Sequence, residues 1–213
     1  MSKRYEAVFY DFDGTIADSV PVILMCFRLA YERVFGRCDR TDEDFMQYIG
    51  RPLEDTFEMH GEKLQDLLTE TYLDINEKML RNDEIDLFDG VIDDIRYLRS
   101  LGIKQGIITS KRKTSCMTTV ELKGIADLFD VMIFREDTDR HKPDGEPILR
   151  AMERLGIDDP SKVVYVGDAL PDMLCARNAG VKFVLVDWTK MPSEEMRNDP
   201  GTTVVSRIRD IVH

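Results

Sequence analysis

Two carboxylates with one residue between them follow the first apolar run of the sequence. The run Ala7–Tyr10 leads into Asp11 and Asp13, and Gly14 comes directly after them. Residues two apart in an extended chain point to the same side, so the two carboxylates are expected to converge, and a glycine permits a turn behind them. Converged acids repel each other unless a cation or a reaction uses both, which indicates a metal-binding or acid–base site. An ordinary Asp-Gly turn is the alternative at this point.

Strands and helices are predicted to alternate in the second part of the chain. Apolar runs of strand length, separated by segments with helical spacing, occur at 104–108, 131–134, 163–166, 183–186 and 203–205. This alternation predicts an α/β fold with a Rossmann-like parallel sheet, which binds ligands beyond the carboxyl ends of its strands. Asp11, Thr109 and Asp168 each follow a predicted strand, and Lys142 lies in a loop after another. The four residues are therefore expected to meet at one edge of the sheet.

Residues 17–86 are predicted to form an all-helical insert. Apolar residues recur at steps of three and four from about Val22 to Phe35 and again from Gly61 to Leu80. Thr41 is a plausible cap for a helix between these two, and Ser19 offers a capping oxygen at the start of the first. No strand pattern appears inside the insert.

Composition excludes several classes of function. The 213 residues carry a net charge of -12 and are 43% hydrophobic, which describes a globular protein ill suited to nucleic acid or an anionic membrane surface. The N-terminus runs straight into a strand without an apolar signal segment, and the four cysteines are scattered, so a cytoplasmic protein without a disulfide framework or zinc ribbon is expected. A monomer and a homodimer are both compatible with the sequence.

Four segments, in order, resemble the motifs of the haloacid dehalogenase superfamily of phosphotransferases. They are Asp11-Phe12-Asp13-Gly14-Thr15, Ile107-Ile108-Thr109-Ser110, Lys142-Pro143 and Gly167-Asp168-Ala169-Leu170-Pro171-Asp172. The resemblance covers essentially the whole chain. It implies an α/β phosphatase core at 1–16 and 87–213, with residues 17–86 as a helical cap that closes over the site.

The resemblance implies a role for each carboxylate. Asp11 would attack phosphorus to form an aspartyl-phosphate, and Asp13 would act as the general acid and base. Mg²⁺ would be held by Asp11, Asp168 and the region of Asp13, whose backbone carbonyl would contribute; oxygen ligands suit this hard cation. Asp172 would either complete the metal site or orient Lys142.

The resemblance also implies a set of phosphate-binding residues. The Thr109 hydroxyl would donate to a phosphoryl oxygen, and Lys142 would place a positive charge between nucleophile and phosphate. Gly14, Thr15 and Ser110 would adjoin the substrate. A helix cap is the alternative for Thr109, although Ser110 is the more plausible cap, and a solvated surface lysine is the alternative for Lys142.

In the cap, the segment Ile49–Leu53 resembles a substrate-facing loop of the superfamily. Arg51 could bind a carboxylate or a second phosphate on the substrate. The alternative is a surface arginine paired with Glu54 or Asp55, which would contribute little.

Within the superfamily, the chain looks most like the phosphoglycolate phosphatases and their pyrophosphate-cleaving relatives, which carry an aromatic-Thr pair such as Trp188-Thr189. The implied function is Mg²⁺-dependent hydrolysis of a small phosphomonoester; inorganic pyrophosphatase activity is the alternative. A sugar-phosphate mutase is disfavoured by Ile23, where those mutases have histidine. Phosphonatases of the superfamily form a Schiff base with a cap lysine, which Arg51 cannot do, so that activity is disfavoured. Dehalogenases lack the second aspartate of the first motif, whereas this chain has Asp13. A non-catalytic binding domain is the non-enzymatic alternative.

Overall fold

A computed structural model of the protein describes residues 5–49 and 53–212. Six parallel strands form its central sheet. In chain order the strands are β1 (Ala7–Tyr10), β2 (Ala17–Asp18), β3 (Asp86–Leu87), β4 (Lys104–Ile108), β5 (Val131–Ile133), β6 (Val163–Gly167), β7 (Lys182–Val186) and β8 (Thr203–Val205). The sheet order is β5-β4-β1-β6-β7-β8, with β1 in the interior, while β2 and β3 form a separate antiparallel pair. The predicted parallel α/β fold is confirmed.

The register of the sheet brings the predicted site residues together. Tyr10 at the end of β1 lies opposite Ile107 of β4 and Val166 of β6. Asp11 therefore emerges beside the ends of both neighbouring strands, where Thr109 and Asp168 follow. Strand β1 is buried on both faces, which explains why its sequence reads as a continuous apolar run.

Helices cover both faces of the sheet and also form the segment between β2 and β3. They are α1 (Val20–Phe35), α2 (Asp42–Met46), α3 (Leu53–Phe57), α4 (Glu62–Arg81), α5 (Val91–Ser100), α6 (Lys113–Leu122), α7 (Glu146–Leu155), α8 (Leu170–Ala179) and α9 (Glu194–Asn198). Val8 and Tyr10 pack into one core, and Ala7 and Phe9 into the other, as the two-residue repeat of a strand requires. The short helices α3 and α9 were not predicted.

Aromatic side chains pack against one another inside the helical segment between β2 and β3. The Phe27 ring of α1 lies 5.1 Å from Phe45, 5.9 Å from Phe57 and 4.8 Å from Tyr72 of α4. Thr41 caps α2 as predicted, since its Oγ1 accepts a hydrogen bond from the backbone N–H of residue 44 at 3.3 Å. The β2–β3 pair brackets this segment and was not predicted. The division into a core and a cap at 17–86 stays a prediction.

Candidate active site

A buried lysine joins two of the predicted carboxylates at the carboxyl edge of the sheet. Lys142 Nζ lies 2.6 Å from Asp11 Oδ1 and 2.7 Å from Asp172 Oδ1, and all three side chains are almost completely buried. Although burial lowers the pKa of Lys142, the adjacent carboxylates of Asp11 and Asp172 raise it above the usual value, so the amine is held in its charged form. The alternative of a solvated surface lysine was wrong.

Asp172 uses both of its carboxylate oxygens within the protein. Its Oδ1 contacts Lys142 and lies 3.1 Å from the hydroxyl of Tyr165, while its Oδ2 accepts hydrogen bonds from the backbone N–H groups of Asp168 (3.2 Å) and Ala169 (3.1 Å). The second pair caps the start of α8. These contacts fit a residue that positions Lys142 and Asp168.

Asp168 is held from three sides. Gly14 passes so close that a Cβ atom on it would lie 2.2 Å from Asp168 Oδ2, and its φ of +83° also favours glycine. Thr15 Oγ1 lies 3.5 Å from Asp168 Oδ1, and Thr189 donates a hydrogen bond to the Asp168 carbonyl at 2.8 Å. Trp188, beside it, donates from Nε1 to the backbone carbonyl of Thr15 at 3.2 Å, so the aromatic-Thr pair supports this part of the site.

Asp11, Asp168 and Asp172 form the acidic cluster of the site, with one oxygen from each within 4.8 Å of the others. Burial is the main reason that the pKa of Asp11 is raised to about 7; Lys142 opposes the rise, and Asp172 and Asp13 add to it. Burial likewise raises the pKa of Asp168 well above its usual value. All three side chains of the cluster offer carboxylate oxygens, the ligand type that suits Mg²⁺, and a bound cation would favour their ionised forms.

Asp13 is held apart from this cluster. Its Oδ1 accepts hydrogen bonds from Ser19 Oγ at 2.6 Å and from Lys111 Nζ at 2.9 Å. The prediction that the Ser19 oxygen caps α1 was wrong, because Ser19 is the N-cap residue but its hydroxyl is directed to Asp13 instead. Asp13 is not part of the three-carboxylate cluster, so the prediction of Asp13 as a metal ligand rests on its backbone carbonyl.

Thr109 and Ser110 follow β4 at the same edge. Neither caps the next helix: α6 begins at Lys113, with Arg112 as its N-cap residue and no side-chain cap bond. Thr109 Oγ1 instead accepts a hydrogen bond from the backbone N–H of Lys111 at 3.1 Å. This leaves the Thr109 hydroxyl hydrogen as a donor at the end of β4, which is the group that phosphate binding requires.

A cleft that is partly open to solvent lies between the helical segment that joins β2 to β3 and the carboxyl edge of the sheet. The sheet side of the cleft is lined by Asp11, Asp13, Thr109, Ser110, Lys111, Arg112, Ser115 and Arg135. The segment between β2 and β3, the predicted cap, contributes Ile23, Phe27, Tyr48, Ile49, Leu53, Thr56, Tyr72, Leu73 and Asn76. The predicted nucleophile and the predicted general acid therefore line the same cleft. Cationic, hydroxyl and apolar groups surround them.

Three of the predicted substrate-binding residues are not among the described residues that line the cleft. Gly14 and Thr15 do not line the cleft; the Gly14 backbone N–H bonds the Ala17 carbonyl at 2.8 Å, and the Thr15 side chain faces Asp168. Both residues lie against Asp168 and help to position it. Arg51 lies outside the described residues.

Lys111, Tyr165 and Thr189 complete the site without having been predicted as functional residues. Lys111 contacts Asp13, Tyr165 contacts Asp172, and Thr189 contacts Asp168. For Lys111 a signal was available, since it directly follows Thr109 and Ser110 in the second motif. For Tyr165 the signal was weaker: a hydroxyl inside a fully buried strand needs a polar partner.

Comparisons with known proteins identify the family. Residues 8–186 match the family model for "Haloacid dehalogenase-like hydrolase". A relative from Clostridium perfringens, named "Putative pyrophosphatase PpaX", is 37% identical over 90% of this chain and 88% of its own length. The chain therefore belongs to the haloacid dehalogenase-like hydrolase family, as its motifs indicated.

Solved structures of related proteins share the fold. One from Bacteroides fragilis, described as a "Putative haloacid dehalogenase-like hydrolase", superposes with a TM-score of 0.87 at 29% identity, covering 98% of this chain and all of its own. Another from Lactobacillus plantarum, described as a "putative phosphoglycolate phosphatase", reaches 0.84 at 24% identity and covers 97% of both chains. The expectation of a phosphatase-type hydrolase is confirmed at the level of the family.

No helix in residues 5–49 and 53–212 is long and apolar enough to cross a membrane.

Proposed function

We propose that the protein is a Mg²⁺-dependent phosphatase that hydrolyses a small phosphate compound through a phosphorylated Asp11. The observation that carries the proposal is the buried group of Asp11, Asp168, Asp172 and Lys142 at the sheet edge. Burying three carboxylates around one lysine costs stability, and packing alone gives no compensation. A reaction that needs a nucleophile beside bound Mg²⁺ accounts for the arrangement.

The proposed reaction has two steps. Asp11 attacks phosphorus, the bond to the leaving oxygen breaks, and Asp13 donates a proton to that oxygen. Water then attacks the phosphorus of the aspartyl-phosphate, gives its proton to Asp13, and releases Asp11 and inorganic phosphate. Lys142 holds Asp11 in place and offsets charge on the phosphoryl group, and the Thr109 hydroxyl donates to one of its oxygens. Asp11 and Asp168 would hold Mg²⁺, and the bound ion would supply the positive charge that lets a carboxylate approach a phosphate anion.

Inorganic pyrophosphate is the substrate that we propose first, and phosphoglycolate the second. The relative from Clostridium perfringens is named as a pyrophosphatase. Lys111, Arg112 and Arg135 line the cleft on the core side, and cationic side chains there suit a leaving group that is itself an anion. Phosphoglycolate also has an anionic leaving group, which matches the sequence-based expectation.

The test is phosphate release from pyrophosphate, phosphoglycolate and β-glucose 1-phosphate, measured with Mg²⁺ and with a chelator. We expect release that requires Mg²⁺ from at least one of the first two. No release from any compound by a folded protein would contradict the proposal and favour a mutase or a binding role.

A further inference from the structure

The cap contributes only uncharged side chains to the cleft, among the residues that the structure describes. Its nine lining residues are apolar except for two tyrosines, Thr56 and Asn76. The positive charges of the cleft come from the core. These residues can therefore recognise a substrate only by its shape and by hydrogen bonds from uncharged side chains.

Thr56 of α3 has a hydroxyl that is buried without a partner. The residue is 1% exposed, and its Oγ1 has no hydrogen-bond partner in the described part of the chain. An unsatisfied buried polar group of this kind destabilises the folded protein. Buried polar groups in native proteins are nearly always paired, so an exception in the wall of a substrate cleft points to a partner that arrives with the ligand.

Asn76 of α4 is a second polar group with unused hydrogen-bonding capacity. It is 2% exposed, and its amide nitrogen faces the Cys26 thiol at 3.8 Å. An amide offers two N–H donors and a carbonyl acceptor, and a thiol is a weak acceptor, so this contact satisfies little of that capacity. Tyr72, one helical turn earlier, also lines the cleft.

We propose that Thr56 and Asn76 are specificity-determining residues that hydrogen-bond oxygen atoms of the leaving group. The inference rests on the proposed phosphatase function. It assigns the substrate to phosphate compounds whose leaving group carries oxygen atoms besides the one that is released, because Thr56 and Asn76 line the cleft with hydrogen-bonding groups. Pyrophosphate and phosphoglycolate belong to this class. Phenyl phosphate does not, since its leaving group has no oxygen beyond the one that is released.

The first test compares pyrophosphate with phenyl phosphate in Thr56→Val and Asn76→Leu. Both substitutions keep the approximate shape of the side chain and remove its hydrogen-bonding groups. Loss of a hydrogen bond from a neutral donor to an anionic oxygen should lower kcat/KM for pyrophosphate by at least about 10-fold in each variant, and for phenyl phosphate by less than about 2-fold. Equal losses on the two substrates, or none, would overturn the inference.

Thr119→Val is the matched control. Thr119 of α6 is 2% exposed and its Oγ1 also has no partner among the described residues, but it does not line the cleft. Like Thr56→Val, this substitution removes an unpaired buried hydroxyl and should raise the thermal stability. It should leave the ratio of the two kcat/KM values, pyrophosphate over phenyl phosphate, unchanged. Asn76→Asp adds a second check, because a new carboxylate would repel an anionic leaving group; we expect a loss of more than about 10-fold on pyrophosphate. A ratio that shifts as much in Thr119→Val as in Thr56→Val would overturn the inference.

A binding measurement separates this inference from the proposed function. Methylenediphosphonate resembles pyrophosphate but cannot be hydrolysed, so its affinity can be measured by calorimetry with Mg²⁺ whether or not the protein turns over. Weaker binding by Thr56→Val, with unchanged binding by Thr119→Val, would support a hydrogen bond from Thr56 to the ligand. If the wild type then released phosphate from no substrate, that result would refute the proposed function but not this contact. Equal binding by all three proteins, or none by the wild type, would overturn the inference.

Discussion

Replacement of Lys142 by Met should destabilise the protein far more than the loss of an ordinary ion pair. The Lys142 side chain is 1% exposed, and its Nζ is within 2.7 Å of carboxylate oxygens of both Asp11 and Asp172. Methionine fills similar volume but leaves two buried carboxylates without a cation. Removing one partner of a buried pair costs about 3–5 kcal/mol in the free energy of unfolding.

Lys190→Met provides a control with the same chemistry in a solvated place. Lys190 Nζ lies 2.6 and 2.7 Å from the two oxygens of Asp18, yet its side chain is 41% exposed. Exposed pairs contribute about 1 kcal/mol or less. The difference between the two variants, about 2–4 kcal/mol, therefore measures the effect of burial rather than of distance.

Urea denaturation at neutral pH measures both variants, with a chelator present so that no divalent cation replaces the lysine charge. The dependence of the unfolding free energy on urea should be unchanged, since the buried area is nearly the same. Adding Asp172→Asn to Lys142→Met should recover part of the loss, because it removes one of the unpaired charges. A Lys142→Met cost no larger than that of Lys190→Met would refute the reasoning.

Two further predictions concern metal binding and the dependence of stability on pH. Gly14→Ala should weaken Mg²⁺ binding by at least about 10-fold in calorimetry, because its Cβ would displace Asp168, whereas Gly124→Ala, which has the same strained φ sign but nothing within 4 Å, should not. Burial raises the pKa of Asp94, but hydrogen bonds from Arg207 and a second arginine outweigh it and hold that pKa below its usual value. The stabilisation is therefore present above about pH 4 and lost as pH falls through the lowered pKa, so Asp94→Asn should cost about 1–3 kcal/mol at pH 7 and less at pH 3 in denaturant titrations. A cost independent of pH would contradict this.

The positions of the main site residues could be predicted because they depend on topology. Strand ends in a parallel sheet share an edge, so the ends of β1, β4 and β6 fix Asp11, Thr109 and Asp168. Lys142 reaches Asp11 across 131 residues of sequence for the same reason. The strand β6 has a continuous apolar run, and the long helix α4 has a periodic one. Both patterns are strong enough to predict the element despite single residues that do not fit.

The parts that were missed depend on side-chain geometry within loops and on very short elements. The strands β2 and β3 have two residues each, and α3 and α9 have five, which is too short for a periodic pattern. Ser19 was expected to cap a helix and bonds Asp13 instead, since a hydroxyl at a helix start can serve either purpose. Sequence alone does not distinguish these partners.

The most direct test of the account is chemical trapping of a phosphorylated Asp11. The protein would be mixed with pyrophosphate and Mg²⁺ and quenched with borohydride, which reduces an acyl phosphate to an alcohol, and peptides would be analysed by mass spectrometry. The account predicts conversion of Asp11 to homoserine, dependent on substrate and Mg²⁺, and no such product in Asp11→Asn. Phosphate release without modification of Asp11, or undiminished release by Asp11→Asn, would contradict the assignment of Asp11 as the nucleophile.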